Sequence, residues 1–381
     1  MPPESWGPIV LGEYAKVIMG QSPESDYYTT NPNDTPFLQG NRTFGSKYPV
    51  FDTFTSKITK LAPSGSVIVS VRAPVGDTNI APVELCLGRG VAALSSDDPD
   101  NEFLYYLMRY LAPVLNQNEN GSTFGSINRS DLESLQLTLP DFESRFKIGR
   151  ILSLLDGKIE LNRTINDNLE AQIIAVFNEL IKTAGGKTVR FGSLVRIGSG
   201  GTPKTSMAEY WGGEIPFFSP KDVSGLFVCT TEKCITKLGL DNCNSGYYPK
   251  NTTFITARGT VGKIALTACD MAMNQSCYAI IASTPGFEHY VHQLSLYAVR
   301  SIKQKSNGAV FDAINANDIT EELVPDLIED DIISFENEVS PLYEMIWINE
   351  KEITSLSAIR DYLLPKLMSG EIDVSTLEIP N

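Results

Sequence analysis

Histidine is nearly missing from this chain: only His289 and His292 occur in 381 residues, and neither belongs to an H-E-x-x-H motif. That leaves little from which to build zinc hydrolysis or a histidine-activated nucleophile. Their one-turn spacing suits a metal pair on paper, but an exposed helical pair is the expected reading. Cys86, Cys229, Cys234, Cys243, Cys269 and Cys277 include no C-x-x-C pair. Neither a structural zinc site nor a secreted disulfide framework is expected, and free thiols in a reducing cytoplasm are. No apolar run approaches the length of a membrane span. The opening MPPESWGPIV has no basic and apolar leader, so a cytoplasmic protein away from membranes is expected.

Phosphate loops are missing too. GSGGTPKT (198–205) ends in Pro-Lys-Thr where such a loop needs Gly-Lys-Ser/Thr, and GTVGK (259–263) lacks the first glycine and the following hydroxyl. There is no Asn-Pro-Pro-aromatic motif of the kind an adenine methyltransferase needs, and no acidic-and-lysine set of a nuclease. The chain is expected to be non-catalytic, with no metal and no cofactor of its own.

Positive charge is scarce overall, at 31 Lys+Arg against 46 Asp+Glu. A net charge of −15 argues mildly against nucleic acid. Its distribution says more. Residues 1–140 carry −6, 141–183 carry −1, 184–328 carry +1 and 329–381 carry −9. The acidic C-terminal stretch suits a solvated face or a basic protein partner better than DNA.

What is present begins with two long apolar seams. Positions 148, 152, 155, 159, 162, 166, 169, 173, 176 and 180 read Ile, Leu, Leu, Ile, Asn, Asn, Leu, Ile, Val, Leu. Steps of four and three are the pattern of a coiled coil, and one apolar seam demands a partner helix. Positions 335 to 367 repeat the register, with Asn349 near the centre and Arg360 further on. Asn162, Asn166 and Asn349 are the expected register residues, because a buried amide pair fixes alignment at some cost in stability. Ser340-Pro341 looks like a helix start, so the main second helix is expected there, after a shorter one. Pro365 should kink or end it, with Gly370 as the stop.

Each helix follows a lobe of about 140 residues, and the lobes repeat each other. LGEYAKVIMGQSP (11–23) aligns with FGSLVRIGSGGTP (191–203), pairing Gly12 with Gly192, Lys16 with Arg196, Gly20 with Gly200 and Pro23 with Pro203. SVIVSVRAPVG (66–76) aligns with TTFITARGTVG (252–262), pairing Arg72 with Arg258 and Gly76 with Gly262. GSTFGSINRSDL (121–132) aligns with GAVFDAINANDI (308–319). The matches keep their order, so internal duplication is the reading. Both lobes read as mixed β structure with short helices near 101–115 and 287–301. The expected domains are therefore 1–140, a long helix 141–183, 184–328, and a second long helix 329–381 in an α+β chain.

The loops are rich in residues suited to reading DNA. In the first lobe these are Gln21, Ser22, Gln39, Asn41, Arg42, Arg72, Arg89, Ser122 and Thr123. In the second they are Thr202, Lys204, Ser219, Lys221, Asp222, Arg258 and Lys263, followed by Gln275, Ser276, Lys303, Lys305 and Asn307. Arg pairs with guanine by two hydrogen bonds, Asn and Gln pair with adenine, and Lys and Ser hold phosphates. Ordinary surface loops are the alternative for each residue taken singly.

RDYLLPKLMSGEIDV (360–374), GSGGTPKTSMAEYWGGEIPFFSPKDV (198–223) and the shorter LGEYAKVIMGQSP carry a resemblance that spans essentially the whole chain. In these segments, and in its two lobes each followed by a long helix, the chain resembles the specificity subunit of type I restriction-modification systems. The resemblance implies two target-recognition domains, each reading one half of a split, asymmetric DNA site. It also implies two antiparallel coiled-coil helices, related by a pseudo-twofold, that act as a ruler. Expected partners are double-stranded DNA, two modification (methyltransferase) subunits and one or two restriction subunits. S-adenosylmethionine would be bound by the modification subunit and ATP/Mg by the restriction subunit. A protein-binding scaffold and a fused methyltransferase are the competing readings. The second would need some 200 residues of cofactor fold that no stretch supplies.

Overall fold

In the computed structural model, residues 6–97, 101–117, 125–305 and 313–378 are described. Two compact units divide the chain: Met1–Glu160 together with Ile353–Asn381, and Leu161–Glu352. Each unit therefore holds one lobe and half of each long helix, rather than a lobe alone.

The first unit closes on itself through Gly7–Val10, which pairs antiparallel with Gln136–Leu139. Inside that clasp, strands Ala15–Met19, Val91–Ser96, Val67–Ser70 and Thr78–Ile80 form an antiparallel sheet in that order. Val67, Ile68 and Val69 are fully buried, as a continuous β-branched run between two apolar layers should be. A second sheet carries Thr35–Leu38 parallel to Leu85–Leu87. The helix Glu102–Gln117 buries Leu104, Tyr105, Tyr106 and Met108 against the first sheet, and Ile148, Leu152, Leu367 and Met368 of the long helices extend that core.

The second unit repeats this plan. Thr188–Arg190 pairs antiparallel with Leu323–Pro325. The main sheet runs Val195–Ser199, Cys277–Ala282, Thr253–Thr256, Ile264–Thr267, Phe227–Val228. Trp211–Phe218 lies parallel to Ala272–Met273. The helix Glu288–Lys305 takes the place of Glu102–Gln117. Even the small caps recur: Asn128 and Asp131 form a reciprocal capping box, as do Asn315 and Asp318.

Glycine is required at the aligned positions Gly20 and Gly200. A Cβ on Gly20 would stand 2.0 Å from the carbonyl oxygen of Gly88, and one on Gly200 would stand 1.8 Å from that of Asn274. Only a residue without a side chain lets these backbones meet.

The long helices are Phe142–Thr183 and Glu329–Met368, of 42 and 40 residues. Ile148, Leu152, Ile159, Asn162, Asn166, Ile173 and Leu180 of the first seam are all buried. The second helix departs from expectation at its first proline. It starts at Glu329 and runs through Ser340-Pro341 without a break. Phe335, Val339, Tyr343 and Ile346 are buried on both sides of that proline, so packing outweighs the one backbone hydrogen bond it lacks. Ser340 is no N-cap; its hydroxyl bonds back to the Glu336 carbonyl at 2.6 Å. The helix ends at Met368, soon after Pro365, with Gly370 at φ 72° beyond it as the expected stop.

Partners link the two helix segments within each unit. In the second unit Asn349 Nδ2 donates to Asn166 Oδ1 at 2.8 Å, Asn162 Nδ2 donates to Glu352 Oε2 at 2.7 Å, and Phe177 meets Phe335 edge-on. In the first unit Arg360 Nη1 donates to Asp156 Oδ1 at 2.7 Å. In the second unit residue numbers rise on one helix as they fall on the other, so its two segments pair antiparallel. No helix among the described residues is long and apolar enough to cross a membrane.

The histidines correct the expected exposed pair. His292 is buried at 2% exposure and its Nδ1 lies 2.8 Å from the Tyr343 hydroxyl; His289 Nδ1 lies 2.8 Å from Glu336 Oε2. Their helix face packs against the second long helix. Burial holds His292 down at about 3, so it stays neutral. Among the described residues no cluster of His, Cys, Asp and Glu is arranged to hold a metal.

Candidate nucleic-acid interface

In each lobe the aligned motifs meet at one end of the two sheets. In the first lobe the turn Gly88-Arg89-Gly90 is the meeting point. Gln21 N–H donates to Leu87 O at 2.9 Å, Gly88 N–H to Leu38 O at 2.7 Å, Gly90 N–H to Gln39 O at 2.9 Å and Val71 N–H to Gly90 O at 2.9 Å. Ser22 Oγ accepts the Arg89 N–H at 3.1 Å. Gln21, Ser22, Gln39, Arg72 and Arg89 therefore belong to adjoining loops, and Gln21, Gln39, Arg72 and Arg89 are exposed.

The second lobe builds the same junction with different residues. Gly201 N–H donates to Met273 O at 3.0 Å, Asn274 N–H to Phe218 O at 2.9 Å and Ala257 N–H to Ser276 O at 2.7 Å. The Thr202 hydroxyl bonds to Gln275 Oε1. Thr202, Ser219, Arg258, Gln275 and Ser276 are brought together here.

Arg72 and Arg258 stand on matching turns. Gly76 N–H donates to Ser70 O at 3.0 Å and Gly262 N–H to Thr256 O at 2.8 Å, with Gly76 and Gly262 both at positive φ. The Ser70 hydroxyl accepts the Asp77 N–H at 2.9 Å, and the Thr256 hydroxyl accepts the Lys263 N–H at 3.0 Å. Arg72 bridges Ser126, and Arg258 bridges Ala313, through backbone pairing. The backbone of each arginine is thus pinned while its side chain is exposed.

Other expected residues stand apart or already have partners. Arg42 pairs with Asp52 at 2.8 Å and holds that exposed carboxyl below its usual range, while Asn41 donates to Asp77 at 2.6 Å. Together with Gln39 they line a polar cavity of about 260 Å³. Ser219 and Asp222 form a capping box, and the second oxygen of Asp222 accepts the Glu232 N–H at 2.8 Å. That carboxylate organises its own loop. Lys221 lies 3.9 Å from Glu232 and is exposed. Lys204 is exposed, and its carbonyl accepts the Trp211 indole N–H at 3.3 Å. Lys303 donates to Gly262 O at 3.2 Å. Lys305 neutralises Glu322, a carboxylate only 5% exposed, at 2.7 Å. Ser122, Thr123 and Asn307 lie outside the described residues.

Sequence reasoning missed the buried charge cluster at the long helices of the first unit. Asp156 accepts from Arg360 at 2.7 Å and from the Tyr106 hydroxyl at 2.6 Å, with Arg109 at 3.7 Å. Arg360 was legible as a polar residue in an apolar seam. Asp156 flanks the seam at 155 and carried no such mark.

Comparison with known proteins accounts for the duplication. Over 183 residues the chain is 39% identical to the putative type I restriction enzyme MjaX specificity subunit of Methanocaldococcus jannaschii, covering 47% of this chain and 43% of that one. It is 23% identical over 411 aligned positions to the MjaIX specificity subunit of the same organism, covering 98% and 95%. A crystal structure of a type I restriction-modification S subunit from M. genitalium superposes with a TM-score of 0.63 at 18% identity, covering 95% of this chain and 96% of that one. That likeness carries the two-lobe, two-helix fold. Residues 3–171 and 185–325, one stretch for each lobe, match the type I restriction modification DNA specificity domain, and the chain belongs to that family.

Proposed function

We propose that this chain is the DNA sequence-recognition subunit of a type I restriction-modification complex. Each lobe reads one half of a two-part, asymmetric site. The observation that carries this reading is the duplicated loop junction: one scaffold, built twice, presenting exposed Arg, Gln and hydroxyl side chains that differ between copies. Two different readers on one frame suit a target with two different halves.

In this reading the chain is non-catalytic and cytoplasmic. It binds no cofactor; S-adenosylmethionine belongs to the modification subunits and ATP/Mg to the restriction subunit. Two modification subunits dock on it, and the net −9 of residues 329–381 suits a basic protein surface. The long helices set the unread gap between half-sites. The net charge of −15 also fits a protein-binding scaffold, which would need no DNA at all.

The test is to map methylated adenines in cells carrying the modification subunit, with and without this chain. A two-part motif that appears only with the chain is expected; no motif would leave the scaffold. Adding four residues near Thr183 lengthens the first long helix by about 6 Å. The mapped gap should then widen by about one or two base pairs at roughly 3.4 Å each. An unchanged gap in an active complex would remove the ruler from the proposal.

A further inference from the structure

Superimposing the two hydrogen-bond patterns residue by residue separates what the lobes share from what they do not. Leu87 and Met273 accept from Gln21 and Gly201; Gly88 and Asn274 donate to Leu38 and Phe218; Gly90 and Ser276 accept from Val71 and Ala257. The next residue along repeats as well, since Val91 N–H donates to Gly88 O at 3.2 Å and Cys277 N–H to Asn274 O at 3.3 Å. Matches on both sides leave one assignment for the residue between them: Arg89 and Gln275 occupy the same place. Both side chains are exposed.

The retained arginines sit one bond away. Arg72 follows Val71, which donates to Gly90, and Arg258 follows Ala257, which donates to Ser276. A residue kept in both copies cannot by itself tell two different half-sites apart. A residue that differs at an otherwise identical place can.

We propose that position 89 in the first lobe and position 275 in the second are the equivalent specificity-determining positions, Arg89 selecting guanine and Gln275 selecting adenine, while Arg72 and Arg258 make the contacts common to both half-sites. The chemistry follows from the side chains. The Arg fork donates twice, matching guanine O6 and N7; the Gln amide donates and accepts, matching adenine N7 and N6. The supports fit these roles. Ser22 holds the Arg89 backbone and leaves the guanidinium without a constraint from that hydroxyl. Thr202 holds Gln275 by Oε1, which orients the amide plane.

The inference rests on the DNA-reading function proposed above, and the test separates the two. The full complex is expressed with wild-type chain, with Arg89→Gln and with Gln275→Arg, and methylated adenines are mapped across the host genome. Arg89→Gln should change one base of one half-site from guanine towards adenine, with a preference shifted about tenfold or more. Gln275→Arg should make the reverse change in the other half-site. Arg72→Ala and Arg258→Ala should lower methylation at all sites while leaving the motif intact.

An unchanged motif in both exchange variants overturns the specificity assignment while the DNA-reading function stands. A change in both half-sites from one exchange overturns it too, because it breaks the one-position-per-lobe equivalence. So does loss of all methylation by both exchange variants when circular dichroism shows them folded. Absence of any motif with the wild-type chain overturns the DNA reading itself, and this inference with it.

Discussion

The two units hold their segments of the long helices by different means. In the first unit the contact is ionic: Asp156 and Arg360, 8% and 15% exposed at their side chains, meet at 2.7 Å with Tyr106 donating to the same carboxylate. In the second, asparagines take part on the first long helix: Asn166 accepts one amide hydrogen bond from Asn349 at 2.8 Å, and Asn162 donates to Glu352 at 2.7 Å. A buried ion pair draws its geometry from several partners at once, whereas an amide pair needs only one correct alignment. The first unit is therefore sensitive to the loss of a single charge. The second tolerates an unpaired acceptor at Asn162 Oδ1.

The largest expected effect breaks the ionic side. Asp156→Ala takes the buried acceptor from both Arg360 and Tyr106, leaves Arg360 only the more exposed Asp361 at 2.8 Å, and should destabilise the first unit by about 3 kcal/mol. Asn349→Ala leaves Asn166 without its donor and should cost the second unit less, about 1–3 kcal/mol. Hydrogen exchange read segment by segment checks both. Loss of protection should centre on residues 148–160 in the first variant and on 162–177 in the second. Equal losses, or the reverse order, would erase the contrast. Replacing Asp156 and Arg360 together by Leu should recover part of the deficit, since the two groups of the ion pair are then removed together.

A subtler effect lies in the second unit, where Glu350 is pushed up to about 7 from 4.5 by burial and by the neighbouring Glu170. The native carboxyl keeps its proton to higher pH than the unfolded chain does. Between about pH 4.5 and 7 the native state thus binds more protons, and stability falls as pH rises through that window. Glu350→Gln should flatten this slope and make the second unit more stable than wild type at pH 8, with little difference at pH 4. Urea unfolding across that range is the measurement. A slope that survives the substitution would move its origin away from Glu350.

Legibility divided along the same physical lines. The first long helix is visible over its full length because a heptad seam is a local, periodic property, and Phe142–Thr183 follows it. The break expected at Ser340-Pro341 was a local inference as well, and packing on both sides overrode it. The exposed histidine pair failed for the same reason: nothing in the local sequence says that the helix face from Tyr290 to Gln293 is covered. Arg72 and Arg258 were legible as paired positions through their glycine turns. The correspondence of Arg89 with Gln275 was not, since GRG and NQS share no residue.

By itself, then, the sequence determined the duplication, the two seams, the scarcity of catalytic groups and the family. Each of these is written in residue order, in periodicity or in composition. Only the tertiary structure decided which loops converge, which charges are buried and which unlike residues occupy like places. Those relations are made by backbone hydrogen bonds between segments as far apart as Gln21 and Leu87, or Gly201 and Met273. A backbone hydrogen bond leaves no mark on the identity of the residues that make it, so its partners become visible only once the chain has folded.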